Sequence, residues 1–307
     1  MKKNFITIIL LFTSITFIFY ITSYKSNNIS NEITNINNNE INIKSDFSSE
    51  NLELYNNYVA LGDSITLGTG LSDPKNEAFS YLIKNKSNCE LNNFGIDGMN
   101  SSWLLYNLSS KQYTDEIKSS NLVTISIGSN DIFWIFYKII AKSFNIDISK
   151  NHDLNYSIYN NFSNASLPEK YNMLNNFYTS TFSEETKKDL DNAILKYKKD
   201  FPELISKIKN INSNTKIIVL EYYNPYHNVL NNTKFNKLSE YYINQMNSFL
   251  YNNTNLGYEI AYIKDAFYKN NSTNVNFSIF GINFDPHPNK KGHEIIYNSI
   301  LDILCNK

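Results

Sequence analysis

The chain is poor in the residues that most often build metal centres and covalent frameworks. Its 307 residues include only two cysteines, Cys89 and Cys305, and four histidines. Two cysteines this far apart exclude a disulfide framework and any Cys-pair zinc site. A single bridge between them has no support, and two unpaired, buried thiols are the expectation. No His/Asp cluster has ligand spacing, so neither a metal nor a cofactor is expected. Charge of one sign is missing as well: the formal net charge is -1 and the sequence pI is near 6.4. That excludes the basic field that nucleic-acid binding needs, and no nucleic-acid partner is expected. Glycine (9) and proline (6) are scarce, so any place where glycines recur stands out.

What is abundant is aromatic: 23 tyrosines and 20 phenylalanines in a chain long enough to bury a sizeable core. The N-terminus differs from the rest. Lys2 and Lys3 precede an apolar stretch from Phe5 to about Ile21, the pattern of an export signal or an anchor. Its length does not separate the two. No small-x-small cleavage site follows, so residues 1–24 are read as a signal anchor in preference to a cleaved signal peptide. The alternatives are thus a cell-membrane protein with its working part outside the cytoplasm, or a secreted one. Residues 25–50, mostly Asn, Ser, Ile and Glu, read as a disordered linker. Residues 51–307 form the folded domain, with an inserted helical or irregular segment at about 133–185.

Within that domain, apolar runs that read as buried strands alternate with stretches of helical spacing. Strands are predicted near Tyr58–Leu61, Leu91–Phe94, Leu122–Ile127, Thr215–Glu221 and Tyr258–Ile263. Helices are predicted at Glu77–Asn85, from Ser101 onward, at Glu184–Ile211, Phe235–Leu250 and Lys290–Leu304, and an apolar stretch runs from Ile132 to Ile140. Pro202 is expected to mark a kink or a new helix start. Asn145–Pro168 has weak periodicity. Connections of this length predict an α/β fold, a three-layer α/β/α sandwich around a parallel sheet.

The most informative stretch is Tyr58–Gly70, YVALGDSITLGTG. An apolar strand breaks at Gly62 and delivers Ser64 to the start of a helix, at the carboxyl edge of the sheet. Ser64 there is either a nucleophile or a helix cap. Three further turns fall at comparable positions: Gly98 after the second strand, Asn130 after the third, and His287 in Asp285-Pro286-His287-Pro288 before the last helix. These are the residue types that acyl transfer needs. A serine hydroxyl becomes nucleophilic when an imidazole takes its proton, and a carboxylate orients that imidazole. Backbone N–H groups and an amide side chain can hold the oxyanion. Ser64, Asp285 and His287 are therefore the catalytic candidates. The N–H groups of Ser64 and Gly98 and the side chain of Asn130 are the oxyanion candidates. Of the other histidines, His152 reads as solvated, His227 follows a tyrosine-rich strand exit, and His293 falls inside the closing helix. Asp63 and Asp131 are expected to hold turns.

Together, VALGDSITLG, NFGIDGMNS, IGSND and DPHPNKKGH resemble the GDSL/SGNH hydrolase family. With the N-terminal segment and the EYYNPY strand exit, they look like its membrane-anchored lipase/acylhydrolase branch from Gram-positive bacteria. The resemblance implies a flavodoxin-like fold, a serine ester hydrolase mechanism without a metal, and the roles just described. One position departs from it: the family's acid stands three residues before the histidine, where this chain has Phe284, and Asp285 is one residue closer. A G-x-S-x-G elbow is absent, because Thr66 replaces the second glycine, and Gly68-Thr69-Gly70 is no dinucleotide loop. The substrate reads as an ester: a lipid, another acyl ester or, alternatively, an O-acetylated glycan of the cell wall. A tethered binding protein without activity is the reading from another class. Trp103, Phe133, Trp134 and Phe136 line an acyl groove or belong to the core. A monomer is the expected state.

Overall fold

The computed structural model describes residues 55–147, 154–228, 230, 233–269, 274–276 and 285–305. The N-terminal segment, the linker and His152 lie outside the described residues.

Five strands form one sheet: β1 (Asn57–Gly62), β2 (Glu90–Gly95), β3 (Leu122–Ser126), β4 (Lys216–Leu220) and β5 (Glu259–Ala261). Their order is β2-β1-β3-β4-β5 and every pairing is parallel. The chain leaves β2 on one side of β1 and returns as β3 on the other. That reversal of direction makes the β1/β3 boundary the point where loops diverge and leave a crevice. The register pairs Gly62 with Gly95 on one side and with Ser126 on the other, so three strand exits lie level.

Twelve α-helices accompany the sheet among the described residues: α1 (Ser64–Leu67), α2 (Pro74–Glu77), α3 (Phe79–Ser87), α4 (Ser101–Asn107), α5 (Lys111–Ser119), α6 (Ser129–Ser143), α7 (Leu154–Asn164), α8 (Leu167–Thr181), α9 (Glu184–Ile211), α10 (Lys234–Asn252), α11 (Lys264–Tyr268) and α12 (Lys290–Cys305). The alternation of side chains along each strand divides the core in two. Val59, Leu61, Val123, Ile125, Ile217 and Val219 face one way and pack with α4, α5, α9 and α10 through Leu104, Ile117, Leu204 and Met246. Tyr58, Ala60, Leu122, Ile218 and Leu220 face the other and pack with α3 and α12 through Phe79, Ile83, Ile296 and Ile300. Each fully buried aliphatic side chain contributes roughly 1.5–3 kcal/mol. Strands covered on both faces are largely apolar, which is why LVTIS and KIIVL are dominated by Leu, Ile and Val. The result is the three-layer α/β/α sandwich.

The elements differ from the periodicity in two places. Pro202 lies inside one continuous helix, α9, rather than at a break. The weakly periodic stretch after Asn145 contains α7, and α8 follows it. A third apolar cluster, with Ala141, Phe144, Ile146, Phe162 and Met173, joins both to the end of α6. Cys89 and Cys305 are not joined in a disulfide; the first is buried and the second half-buried. No helix among the described residues is long and apolar enough to cross a membrane.

Candidate active site

Ser64 is the first residue of α1, directly past β1. The cap of that helix is Asp63, not Ser64: Asp63 Oδ1 accepts the Ile65 N–H at 3.0 Å. The carboxylate also accepts the Ser126 hydroxyl at 3.2 Å, and the Asp63 N–H donates to the Ser126 carbonyl at 3.0 Å. Asp63 thereby ties the exit of β1 to the exit of β3, and the Ser64 hydroxyl is left for another partner. Burial pushes the Asp63 carboxyl up to about 7, against the pull of its Ile65 and Ser126 hydrogen bonds and of nearby His287.

The partner of Ser64 is His287. Its Nε2 lies 2.8 Å from Ser64 Oγ, across 223 residues of sequence. Its Nδ1 is bonded to Asp285 Oδ1. A carboxylate only accepts, so Nδ1 carries the hydrogen and Nε2 presents its lone pair to the serine hydroxyl. Burial alone would lower the pKa of this imidazole. The hydrogen bond and charge of Asp285, with the charges of Asp63 and Asp97, outweigh burial and hold it above its ordinary value. Asp285 is held below the usual carboxylate range: burial opposes this, but the hydrogen bonds and charge of His287 prevail, and Asn276 adds to them. The spacing of two residues works because Asp285 Oδ1 also accepts the His287 backbone N–H, at 3.0 Å. This is an Asx turn closed over Pro286.

The other two candidate turns are joined through α6. Gly98 has φ +74°, and a Cβ there would lie 3.2 Å from Cζ2 of Trp134, so an alanine is strained by both backbone and neighbour. The Trp134 indole N–H donates to the Gly98 carbonyl at 3.0 Å. Asn130 Nδ2 donates to the Met99 carbonyl at 3.0 Å. Asp131 accepts the Ser101 N–H at 2.9 Å and its hydroxyl at 2.5 Å. Three residues of one helix thus grip the turn 98–101. That turn is tied to the nucleophile loop by Thr69 Oγ1 donating to Asp97 at 2.5 Å and by the Ile96 N–H donating to the Gly62 carbonyl at 3.1 Å.

Ser64, Asp285 and His287 form a continuous hydrogen-bonded chain, and Gly98 and Asn130 sit on turns stitched to each other. The remaining candidates go elsewhere. His227 stacks on Tyr268 and bonds Glu240 at 2.9 Å. His293 is fully buried. Phe136 packs in the core against Phe235, whereas Trp103 and Trp134 are 44% and 40% exposed. Asn276 and the Trp134–Gly98 bond were not foreseeable: Asn276 sits in Asn-rich sequence with no period to single it out. No group of His, Cys, Asp and Glu among the described residues could hold a metal ion.

A model of the GDSL-like lipase/acylhydrolase family matches residues 60–295, most of the chain and all five residues just placed. The chain belongs to this family. As a GDSL-type protein it is a serine ester hydrolase of the lipase/acylhydrolase class. Solved structures agree on the fold. The lipase Lip_vut3 from a goat rumen metagenome superposes with a TM-score of 0.51 at 18% identity, covering 79% of this chain and 94% of that one. An extracellular lipase from Streptomyces rimosus superposes with a TM-score of 0.50 at 14% identity, covering 80% and 98%. No curated protein matches the sequence significantly. The GDSL-type chain is therefore recognisable by family and fold, while its substrate is a separate question.

Proposed function

We propose that this GDSL-type hydrolase cleaves carboxylic esters through an acyl-enzyme on Ser64, outside the cytoplasm. The observation that carries the chemistry is the single imidazole that bridges Ser64 and Asp285. In this reading His287 Nε2 takes the proton of the Ser64 hydroxyl as Oγ bonds the ester carbonyl carbon. The carbonyl oxygen becomes an oxyanion between the N–H of Ser64, the N–H of Gly98 and the second N–H of the Asn130 amide. Collapse breaks the ester C–O bond, and His287 returns the proton to the departing alcohol. Water, activated by the same imidazole, then releases the acid and restores Ser64. Asp285 stays ionised and stabilises the imidazolium.

The substrate class is an ester with a medium or long acyl chain. Its support is the exposed indole of Trp134 against Gly98, with Leu67, 39% exposed, just past the nucleophile. An apolar wall beside the reacting carbonyl favours an apolar acyl group, since each buried CH₂ contributes about 0.8 kcal/mol. The extracytoplasmic site rests on the Lys2-Lys3 flank and the apolar run that follows it.

The test is a series of p-nitrophenyl esters from acetyl to decanoyl, run on the full chain and on Ser64→Ala. Octanoyl turned over faster than acetyl, with no turnover and no fluorophosphonate labelling in the Ser64→Ala protein, is the expected result. Acetyl preferred over octanoyl would point instead to an O-acetyl esterase. Labelling that survives Ser64→Ala would reject the nucleophile.

A further inference from the structure

The acid of this site stands two residues before its histidine, and the structure contains a device that such a spacing calls for. Asp285 Oδ1 receives both the backbone N–H and the ring N–H of His287. A carboxylate held by one oxygen can still swing about its last bond and carry the imidazole with it. Its other oxygen, Oδ2, accepts from Asn276 Nδ2 at 3.1 Å. The same amide nitrogen donates to the Gly70 carbonyl at 3.1 Å, so both of its hydrogens are used.

The backbone fixes where that amide points. Residues 274–276 run antiparallel to 287–289: the Asn276 N–H donates to the His287 carbonyl at 2.9 Å, and the Asn289 N–H to the Asn274 carbonyl at 3.1 Å. Asn276 is thus registered against the catalytic histidine by main-chain bonds that do not depend on its side chain. On the far side stands Gly70, with φ +88°. A Cβ there would lie 2.5 Å from Asn276 Nδ2 and 2.8 Å from Asp285 Oδ2. The last glycine of the YVALGDSITLGTG stretch leaves room for the carboxylate and the amide to close on the nucleophile loop.

We propose that Asn276 is a positioning residue of this enzyme, one that locks the Asp285 carboxylate against the His287 ring and ties it to the loop behind Ser64. The proposal rests on the reading of Asp285 as the triad acid. Asn276 touches neither substrate nor the reacting atoms, and acts through Asp285. Asp285, Asp63 and Asp97 all raise the proton affinity of His287. The charge of His287 in turn reaches His293, and that of Asp285 reaches the buried hydroxyls of Tyr223 and Tyr226. Of these charges, only the placement of Asp285 depends on Asn276.

The experiment measures kcat, KM and the pH–rate profile of the full chain carrying Asn276→Ala, Asn276→Asp, Asp285→Asn, and Asn276→Ala with Asp285→Asn. For Asn276→Ala we expect kcat to fall between about tenfold and a hundredfold, the cost of a small misplacement. KM should hold and the acidic limb should move to lower pH, because a loosened carboxylate supports the imidazolium less. Asn276→Asp removes the same donor but adds a second negative charge, so its limb should move to higher pH. The double variant should be no slower than Asp285→Asn alone. Should Asn276→Ala fail to fold, the upward limb of Asn276→Asp decides. A large loss in Asp285→Asn beside an unchanged kcat and limb in both Asn276 variants would overturn the proposal. A loss below tenfold in Asp285→Asn would instead overturn the assignment of the acid.

Discussion

Two histidines flank the start of α12, six positions apart, and the protein treats them in opposite ways. His287 and His293 both lose water, which disfavours the imidazolium. His287 recovers it from a carboxylate on Nδ1, and its pKa rises above the ordinary value. His293 meets no carboxylate among the described residues. Its Nδ1 accepts the Phe79 backbone N–H at 3.2 Å, at the start of α3, and its Nε2 has no hydrogen-bond partner among the described residues. Burial, with a smaller push from the charge of His287, drops its pKa to about 3. A proton on Nδ1 would break the bond to Phe79 and set a cation at a helix N-terminus, where the macrodipole repels it. One ring is therefore poised to gain a proton near neutrality and the other is kept from doing so. Burial is common to both; the partner atom separates them.

The most severe way to break this contrast is to take the carboxylate from His287. Asp285→Asn leaves the shape and removes the charge, and in serine proteases the equivalent change lowers kcat by about 10⁴. A loss of that order is expected here, with the residual acidic limb displaced downward. In the unaltered enzyme that limb should lie above pH 6.5, because the base works only when neutral and its pKa is raised. Rates of an octanoyl ester between pH 5 and 9 test both statements, and a limb below pH 6 in the unaltered enzyme would remove the special standing of His287.

The next effect is on stability and belongs to His293. Its folded pKa, about 3, lies below the 6.5 of an unfolded histidine. Between these values the unfolded chain takes up a proton that the folded chain refuses, so acid favours unfolding by about 1.4 kcal/mol per pH unit. Asp63 pulls the other way: with a folded pKa near 7, it binds a proton in the folded state sooner than in the unfolded one. The two offset each other in a bare acid titration. The informative quantity is the difference between the protein and His293→Gln, read from urea midpoints at pH 7, 6, 5 and 4. That difference should move steadily in favour of the variant as pH falls. A constant difference would mean that His293 is not held neutral by burial.

The sequence and the structure part company along the same line. The strands and the helix starts were legible because a parallel sheet covered on both faces demands strands rich in β-branched and aliphatic residues, and LVTIS and KIIVL are such runs. Ser64, Gly98 and Asn130 stood out because each follows a strand in the same α/β frame, and His287 because two prolines box it ahead of the closing helix. What was not legible acts through contacts between remote segments. The cap of α1 turned out to be Asp63, a choice between neighbouring residues that only geometry makes. Asn276 lies 9 residues from Asp285 and 206 from Gly70, and no periodicity links them. His293 read as an ordinary position of the closing helix, since nothing local says that its Nδ1 meets Phe79, 214 residues away. The helix α7 was obscured by its Asn-rich sequence, whose weak periodicity carries little apolar signal.

The smallest expected effect is the sharpest test of the contrast. His287 and His293 feel each other's charge: protonated His287 helps to keep His293 neutral. Coupling of this kind is reciprocal, but it acts only when both rings are charged. Across the range where His287 titrates, His293 stays neutral, because its pKa is about 3. His293→Gln keeps a neutral acceptor for the Phe79 N–H through its amide oxygen and adds no charge. The acidic limb of the pH–rate profile should therefore stay within about 0.2 of its original position, less than the spread of ordinary histidine values. Stability at pH 7 should change by about 1 kcal/mol, the scale of one rearranged hydrogen bond. A limb that moved by half a unit or more would show His293 sharing the proton of the catalytic ring, and the two histidines would have to be treated as one coupled pair.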